Sequence, residues 1–218
     1  MTSIRRHARA FVGELARLGW ERVADAAAIR TGSARARRFR SFGERSVICF
    51  PVTALYGEEF VDIGDGCIIG PSCSLSAGVA PGHDISPSPG VRIGNGVLLG
   101  RGSGIVAHSS VEIGDDVFTG HHVYITDANH GYEDTSLPIG RQFAASRAVR
   151  VGSGSWLGHG TVVLPGADIG RNVAVGAGSV VTGALPDFSV AVGNPARVIR
   201  RYVEGDGWVH VDRHDDHR

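Results

Sequence analysis

From Ile63 to Val181 the chain repeats itself every six residues. Aligned on an aliphatic residue that is usually followed by Gly, the first positions are Ile63, Ile69 and Leu75, then Ile93, Leu99, Ile105, Ile113, Thr119 and Ile125. They continue with Val151, Leu157, Val163, Ile169, Val175 and Val181, and Thr119 alone is not aliphatic. The fifth position is small or β-branched: Cys67, Cys73, Val79, Val97, Ser103, Ser109, Val117, Val123, Ser155, Thr161, Ala167, Val173 and Ser179. A period of six matches neither the 3.6 of a helix face nor the alternation of a continuous strand. It matches a short strand plus a tight corner, with Gly supplying φ > 0 at the turn. Three such sides close a triangular coil whose aliphatic and small residues stack inward on those of the next. That is a parallel β-helix.

The breaks in the period carry information too. Two extra residues between Ile105 and Ile113 make a minor corner bulge. Twelve extra residues between Leu75 and Ile93, among them Pro81, Pro87 and Pro89, read either as two poorly matching sides or as a loop. Twenty residues are inserted between Ile125 and Val151, so a loop leaves the coil near Asp127 and returns near Val149. Long loops on a rigid scaffold usually carry function. The chain therefore divides into a basic appendage (1–45), the coil (46–196, with the inserted loop at about 127–148) and a C-terminal segment (197–218). In the appendage, Ile4, Ala8, Phe11, Leu15 and Leu18 recur at spacings of four and three, an amphipathic helix. The stretch from Arg30 to Arg45 reads as basic and extended. Pro186 to Pro195 closes the last coil, Arg197 to Val203 begins a short helix or strand, and the charged tail after Glu204 frays.

Composition agrees with a coil. There are 32 Gly in 218 residues, roughly twice the usual share of ~7%. That excludes an all-helical bundle, because an interior Gly costs ~1 kcal/mol relative to Ala. All 22 cationic residues are Arg, balanced by 22 acids. The zero net charge hides a segregation, with +7 over residues 1–45 and −7 over 46–196. A basic appendage beside an acidic coil offers no continuous groove for a polyanion, so no nucleic-acid partner is expected. The basic amphipathic helix suits either contact with an anionic membrane surface or packing on the coil, the commoner outcome. There is no apolar run of about 18 residues and no secretory signal. Three Cys cannot all pair, which suits a reducing compartment, so a cytoplasmic location is expected.

The hexads, together with Thr126-Asp127-Ala128-Asn129-His130-Gly131-Tyr132, Ser155-Trp156-Leu157-Gly158-His159 and Gly193-Asn194-Pro195-Ala196-Arg197, resemble the hexapeptide-repeat acyltransferases. The resemblance implies an all-β fold, a left-handed parallel β-helix with an N-terminal helix and a short C-terminal tail, assembled as a homotrimer with active sites between subunits. Handedness comes from the resemblance alone, since parallel crossovers are generally right-handed. In the galactoside and maltose acetyltransferases the catalytic His follows the Ile of an Ile-Gly-Asp by seventeen residues. Ile113 and His130 stand at that spacing here. The wording around His130 is closer to acetyltransferases of bacterial surface polysaccharides.

An imidazole is suited to taking a hydroxyl proton near pH 7. From the residues alone His130 reads first as a turn-capping loop His; the resemblance makes it the general base. It also implies acetyl-CoA as cosubstrate. Trp156 would flank the pantetheine arm, backbone groups at His159, Ala177 and Thr182 would bind its amides, and Arg197 and Arg200 would meet its phosphates or adenine. The His159 N–H would also meet the oxyanion. Many relatives carry Lys after that Thr, where this sequence has Gly183. The Asn and Asp with which galactoside-type enzymes hold their sugar correspond to Gly100 and His108, which implies a different acceptor. His108, Asp127 and Asn129 are candidate acceptor contacts, with a turn-forming role for the last two equally open.

The implied activity is O-acetylation of a sugar, glycolipid or surface-polysaccharide precursor. N-acetylation of an amino sugar is the near alternative. A metalloenzyme like the γ-class carbonic anhydrases is the alternative from another class, because His121 and His159 stack at one corner, with His108 and His122 as further candidate ligands. Zinc needs three or four ligands, the spacings depart from that family's, and no metal is expected. Cys67 and Cys73 read as small core residues, not nucleophiles. Gly152-Ser153-Gly154 lacks the context of a phosphate loop, and no Gly-x-Ser-x-Gly elbow is present.

Overall fold

The computed structural model describes residues 2–211. The side chains of Ile4 and Ala8, and the whole of residues 212–218, lie outside the described residues. The hexads form a left-handed parallel β-helix with three faces. Face 1 runs through Val61–Ile63, Gly90–Ile93, Ser110–Ile113, Val149–Val151, Asp168–Ile169 and Ala184–Leu185. Face 2 runs through Ile68–Ile69, Leu98–Leu99, Phe118–Thr119, Trp156–Leu157 and Ala174–Val175. Face 3 runs through Cys73–Ala77, Gly104–Ala107, Tyr124–Thr126, Val162–Val163 and Val180–Val181.

Register puts like on like. Ile105 pairs with Ile125, Ile125 with Val163 and Val163 with Val181, all at most 1% exposed. The fifth positions fill the corners between these rungs: Cys67, Val117, Thr161 and Ser179 are fully buried. Burial also pushes the Cys67 and Cys73 thiols above their ordinary range, as suits inert core groups. Val79 and Ser109 leave the stack, because each falls where extra residues shift the phase; Val79 is exposed.

Glycine does two jobs, where the sequence suggested one. The second-position Gly do not take the left-handed conformation; they let successive coils touch. A Cβ on Gly158 would lie 2.5 Å from the Ala177 nitrogen, and one on Gly120 2.6 Å from that of His159. The positive φ belongs to the fourth position, as at Gly160 (68°) and Gly178 (68°), and there His122 (58°) and Asn172 (52°) manage without Gly. Gly158→Ala is therefore expected to cost about 1–3 kcal/mol through overpacking against backbone that cannot retreat. A lowered unfolding temperature, set against an unchanged one for a substitution at exposed Ala184, checks this.

All the large insertions fall at one edge of the prism, between faces 3 and 1. The Pro-rich segment between Cys73–Ala77 and Gly90–Ile93 is a loop, and the long insertion from Asp127 to Ala148 leaves and returns at the same corner. The other two corners keep the tight four-residue turn.

The ends depart from the sequence reading. Arg30 to Arg45 is not simply extended: Ile29, Ala36 and Phe39 are buried and plug the first coil, and Phe39 meets Phe42 edge to face at 5.3 Å. The fully buried Glu58 carboxylate anchors this plug through Arg35 at 2.7 Å. The plug closes the core, and the helix (Thr2–Ala27) leaves the apolar residues described on it outside that core. Phe11, Val12, Leu15 and Leu18 are exposed, and the helix touches the coil where Trp20 meets Phe50 at 5.9 Å between ring centroids. As far as Val211, where the described residues end, the C-terminal segment forms two strands, the second in the stretch after Glu204 that the sequence reads as frayed. Ala196–Val203 pairs antiparallel with Ser189–Gly193, and Gly207–His210 adds outside it, both extending face 2.

The outer surfaces of the faces differ in chemistry. Face 1 presents an alternating ladder of Asp62, Arg92, Glu112, Arg150 and Asp168, with Arg150–Asp168 at 2.7 Å and Arg92–Glu112 at 3.2 Å. Face 2 presents Ile68, Leu98, Phe118, Trp156, Ala174 and Val190 in one file, with Ile68, Phe118 and Trp156 about half exposed.

Candidate active site

The long loop is held by its own polar groups. The Asp127 carboxylate, fully buried, accepts the backbone N–H groups of His108 (2.7 Å), Ser109 (2.7 Å) and Ser110 (2.6 Å). It thereby closes the corner of the preceding coil. Of the two roles open to Asp127, the turn-forming one is what the structure shows, since its carboxylate faces inward and is fully engaged, while His108 enters these bonds through its backbone and keeps a half-exposed side chain. Asn129 is exposed, and its Oδ1 accepts the His130 N–H at 2.9 Å.

Across the loop, Gln142 is the organiser that sequence reasoning missed. Its amide Nε2 donates to the carbonyls of Asp134 (2.8 Å) and Leu137 (3.0 Å), and its Oε1 accepts the Asp134 N–H at 3.1 Å. Its backbone carbonyl accepts the Gly131 N–H at 3.0 Å and lies 3.2 Å from His130 Nδ1. A carbonyl can only accept, so that Nδ1 carries the proton. In the neutral ring this leaves the lone pair on Nε2, the atom free to act as a base. No motif flags Gln142, because its role is to hold a turn made by residues distant from it.

His130 opens on a cleft of about 480 Å³ lined also by Ala128, Asn129, Tyr132, Arg147, Leu164 and Thr182. Tyr132 is 70% exposed and offers an apolar surface. Glu133 lies on the same cleft, but its carboxylate accepts the Tyr132 N–H, which holds it below the usual carboxylate range.

Of the predicted residues, only Thr182 and Asn129 share this cleft with His130. Trp156 stands on the outer file of face 2, and His159 and Ala177 stack at the corner between faces 2 and 3. That corner has a peculiarity. At the corner between faces 1 and 2, third-position N–H groups are capped by side chains of the next coil: Asp65 by Asn95 (2.9 Å), Asn95 by Asp115 (2.6 Å), Arg171 by Asp187 (2.9 Å). Among the described residues, the equivalent N–H groups of Arg101, His121, His159 and Ala177 meet no such acceptor. They form a row of donors along that corner. Beside them, the rings of His121, His122 and His159 meet edge to face at 5.5–6.5 Å. Among the described residues no group of three or more His, Cys, Asp or Glu has the geometry to hold a metal ion.

Arg197 and Arg200 are brought together by a bulge. Three apart on a regular strand, they would point to opposite faces. The register shift at Ile199 instead pairs Arg197 with Val192 and Arg200 with Val190, both outward positions. Both guanidinium stems therefore continue the outer file of face 2 beyond Trp156 and Ala174.

Two family models match the chain. "Bacterial transferase hexapeptide (six repeats)" covers residues 148–183, and "Hexapeptide repeat of succinyl-transferase" covers residues 90–126. The galactoside O-acetyltransferase of Lactococcus lactis subsp. lactis is 32% identical over 152 residues, 70% of this chain and 68% of that protein. The galactoside O-acetyltransferase of Escherichia coli is 29% identical over 153 residues, 70% of each. Two curated relatives matched at 40% identity or more are also acetyltransferases by name, and the chain spans 37% and 54% of their lengths. Among solved structures, a variant of the N-acyltransferase AntD from Bacillus cereus, in complex with dTDP and coenzyme A, superposes with a TM-score of 0.64. It is 21% identical, covering 81% of this chain and 93% of that one, a likeness that shows the fold. No helix among the described residues is long and apolar enough to cross a membrane.

Proposed function

The chain belongs to the hexapeptide-repeat acetyltransferases, and from that premise we propose that it moves an acetyl group from acetyl-CoA to a hydroxyl of a sugar, glycolipid or surface-polysaccharide precursor. The observation that carries the reading is the tautomer of His130, whose Nδ1–H is spent on the Gln142 carbonyl beside an open cleft. Acetyl-CoA supplies a thioester. His130 Nε2 takes the proton of the acceptor hydroxyl as its oxygen attacks the thioester carbon, and returns that proton to the departing thiolate. No acyl-enzyme forms.

The donor groove needs a second copy of the chain. In one protomer, His130 and Thr182 are on one edge of the prism, whereas the free N–H groups of His159 and Ala177, with Trp156, Arg197 and Arg200, are on another edge and face 2. Packing the apolar file of one subunit's face 2 toward its neighbour's loop edge joins the two sets, and three such contacts close a ring. In that arrangement the row of N–H donors meets the pantetheine amides, and the His159 N–H meets the oxyanion. Arg197 and Arg200 then meet the phosphates or adenine of CoA. The hydroxyl acceptor, in preference to an amine, rests on the galactoside O-acetyltransferases among the relatives. The exposed apolar side of the N-terminal helix suits an anionic membrane or a neighbouring subunit equally, and the reading needs neither.

The test is a mass-spectrometric screen for acetylated products with acetyl-CoA and a panel of sugar acceptors, run beside light scattering and a thermal melt. Expected are a product 42 Da heavier than one acceptor (one acetyl group replacing a proton, about 42 Da), a trimer mass, and a higher melting temperature with acetyl-CoA than without. An acetyl-CoA-independent melt with no product on any acceptor overturns the reading.

A further inference from the structure

Arg147 stands in the His130 cleft with nothing to neutralise it. Among the described residues its guanidinium makes no ion pair and no hydrogen bond, whereas Arg150, three residues on, is paired with Asp168 at 2.7 Å. Its place is nevertheless well determined. The Arg147 N–H donates to the Asp127 carbonyl at 2.9 Å, and its own carbonyl accepts the Gly166 N–H at 3.0 Å, so the backbone is sewn into two coils.

The side chain then lies flat over Gly166. A Cβ built there would fall 2.5 Å from Nη2, 2.6 Å from Cζ and 2.7 Å from Nε, so the guanidinium fills the space that a side chain would take. The other charge on the cleft, Glu133, is occupied by the Tyr132 N–H and makes no ion pair with Arg147. An exposed guanidinium laid over Gly166, with no partner among the described residues and five donors, on the same cleft as a general base, is matched to a planar or tetrahedral oxyanion.

We propose that Arg147 is a specificity-determining residue that selects an acceptor carrying an anionic group, a phosphate or a carboxylate, beside the hydroxyl to be acetylated. This rests on the acetyl-transfer reading for the identity of the cleft, though not for the presence of the anion site. Arg147 orients the acceptor by its charge. It takes no proton and touches no reacting atom.

Calorimetric titration tests this on the protein saturated with CoA, which permits binding without turnover. The probes are glucose 1-phosphate, glucuronate and uncharged methyl glucoside. Expected is binding of the phosphate or the carboxylate probe about ten- to a hundredfold tighter than of methyl glucoside, with the better of the two identifying the anion. Arg147→Gln should erase that preference, Arg147→Lys should restore part of it, and CoA affinity should stay unchanged in both. Equal affinities for charged and uncharged probes, absence of binding by all three, or a loss confined to CoA each overturn the proposal. Arg147-dependent anion binding without any acetylated product would remove the transferase reading and leave the anion site. Transfer to an uncharged sugar at an Arg147-independent rate would do the reverse.

Discussion

Replacing His130 with Ala is expected to lower kcat for acetyl transfer by a factor of about 10²–10⁴, the usual contribution of a positioned general base. KM for acetyl-CoA, the oligomer mass and the melting temperature should all stay close to those of the unaltered protein. The reason lies in how the ring is held. His130 is exposed and contributes nothing to the stacked core, so its removal leaves the coil intact. The Gly131 N–H still reaches the Gln142 carbonyl, so the turn keeps one of its two ties. His130→Gln is the sharper control, since an amide can satisfy the same carbonyl without offering a base. If either variant transfers acetyl at more than a tenth of the normal rate, another group takes the proton and the assignment of Nε2 is wrong.

Replacing Asp127 with Ala is expected to cost about 3–5 kcal/mol of stability and, with it, the activity. Three N–H groups, those of half-buried His108 and Ser109 and of buried Ser110, would lose their acceptor at once, and an orphaned buried donor costs about 1–3 kcal/mol before relaxation. Relaxation and water entry keep the total below the simple sum. Chemical denaturation checks the figure, with the midpoint falling and the slope unchanged. Asp127→Asn should lose less, because one oxygen remains to accept. The alternative, in which Asp127 binds the acceptor, predicts the opposite pattern: a raised acceptor KM with an undisturbed unfolding curve. The two outcomes cannot be confused.

How much of this was legible beforehand differs from element to element. The coil was, because a six-residue period leaves a chain of L-residues few ways to bury its aliphatic positions. The loop at His130 was too, since twenty residues out of period must leave the prism. The separate roles of the second- and fourth-position Gly were not. Both read as Gly or a turn residue, and only the distance between successive coils shows that Gly158 avoids a collision while Gly160 adopts a conformation. Arg197 and Arg200 are grouped in the sequence by resemblance alone. Their spacing of three argues against it until the bulge at Ile199 restores the phase. The N-terminal plug was not legible, because charge dominates the composition of residues 30–45 and conceals Ala36 and Phe39, which join Ile29 in filling the core.

By itself the sequence determined the architecture of the coil and the points at which the chain leaves it, because both follow from a count of residues between aliphatic positions. Tertiary structure alone decided which atoms face one another. It turned the Asp127 carboxylate inward, set the proton of His130 on Nδ1 through a carbonyl twelve residues away, and laid an unpaired Arg147 across Gly166 at the mouth of the same cleft. Hydrogen bonds and close approaches are short-range and directional. Their partners are chosen by how the loop folds back on the coil, and that is not written in the spacing of either one.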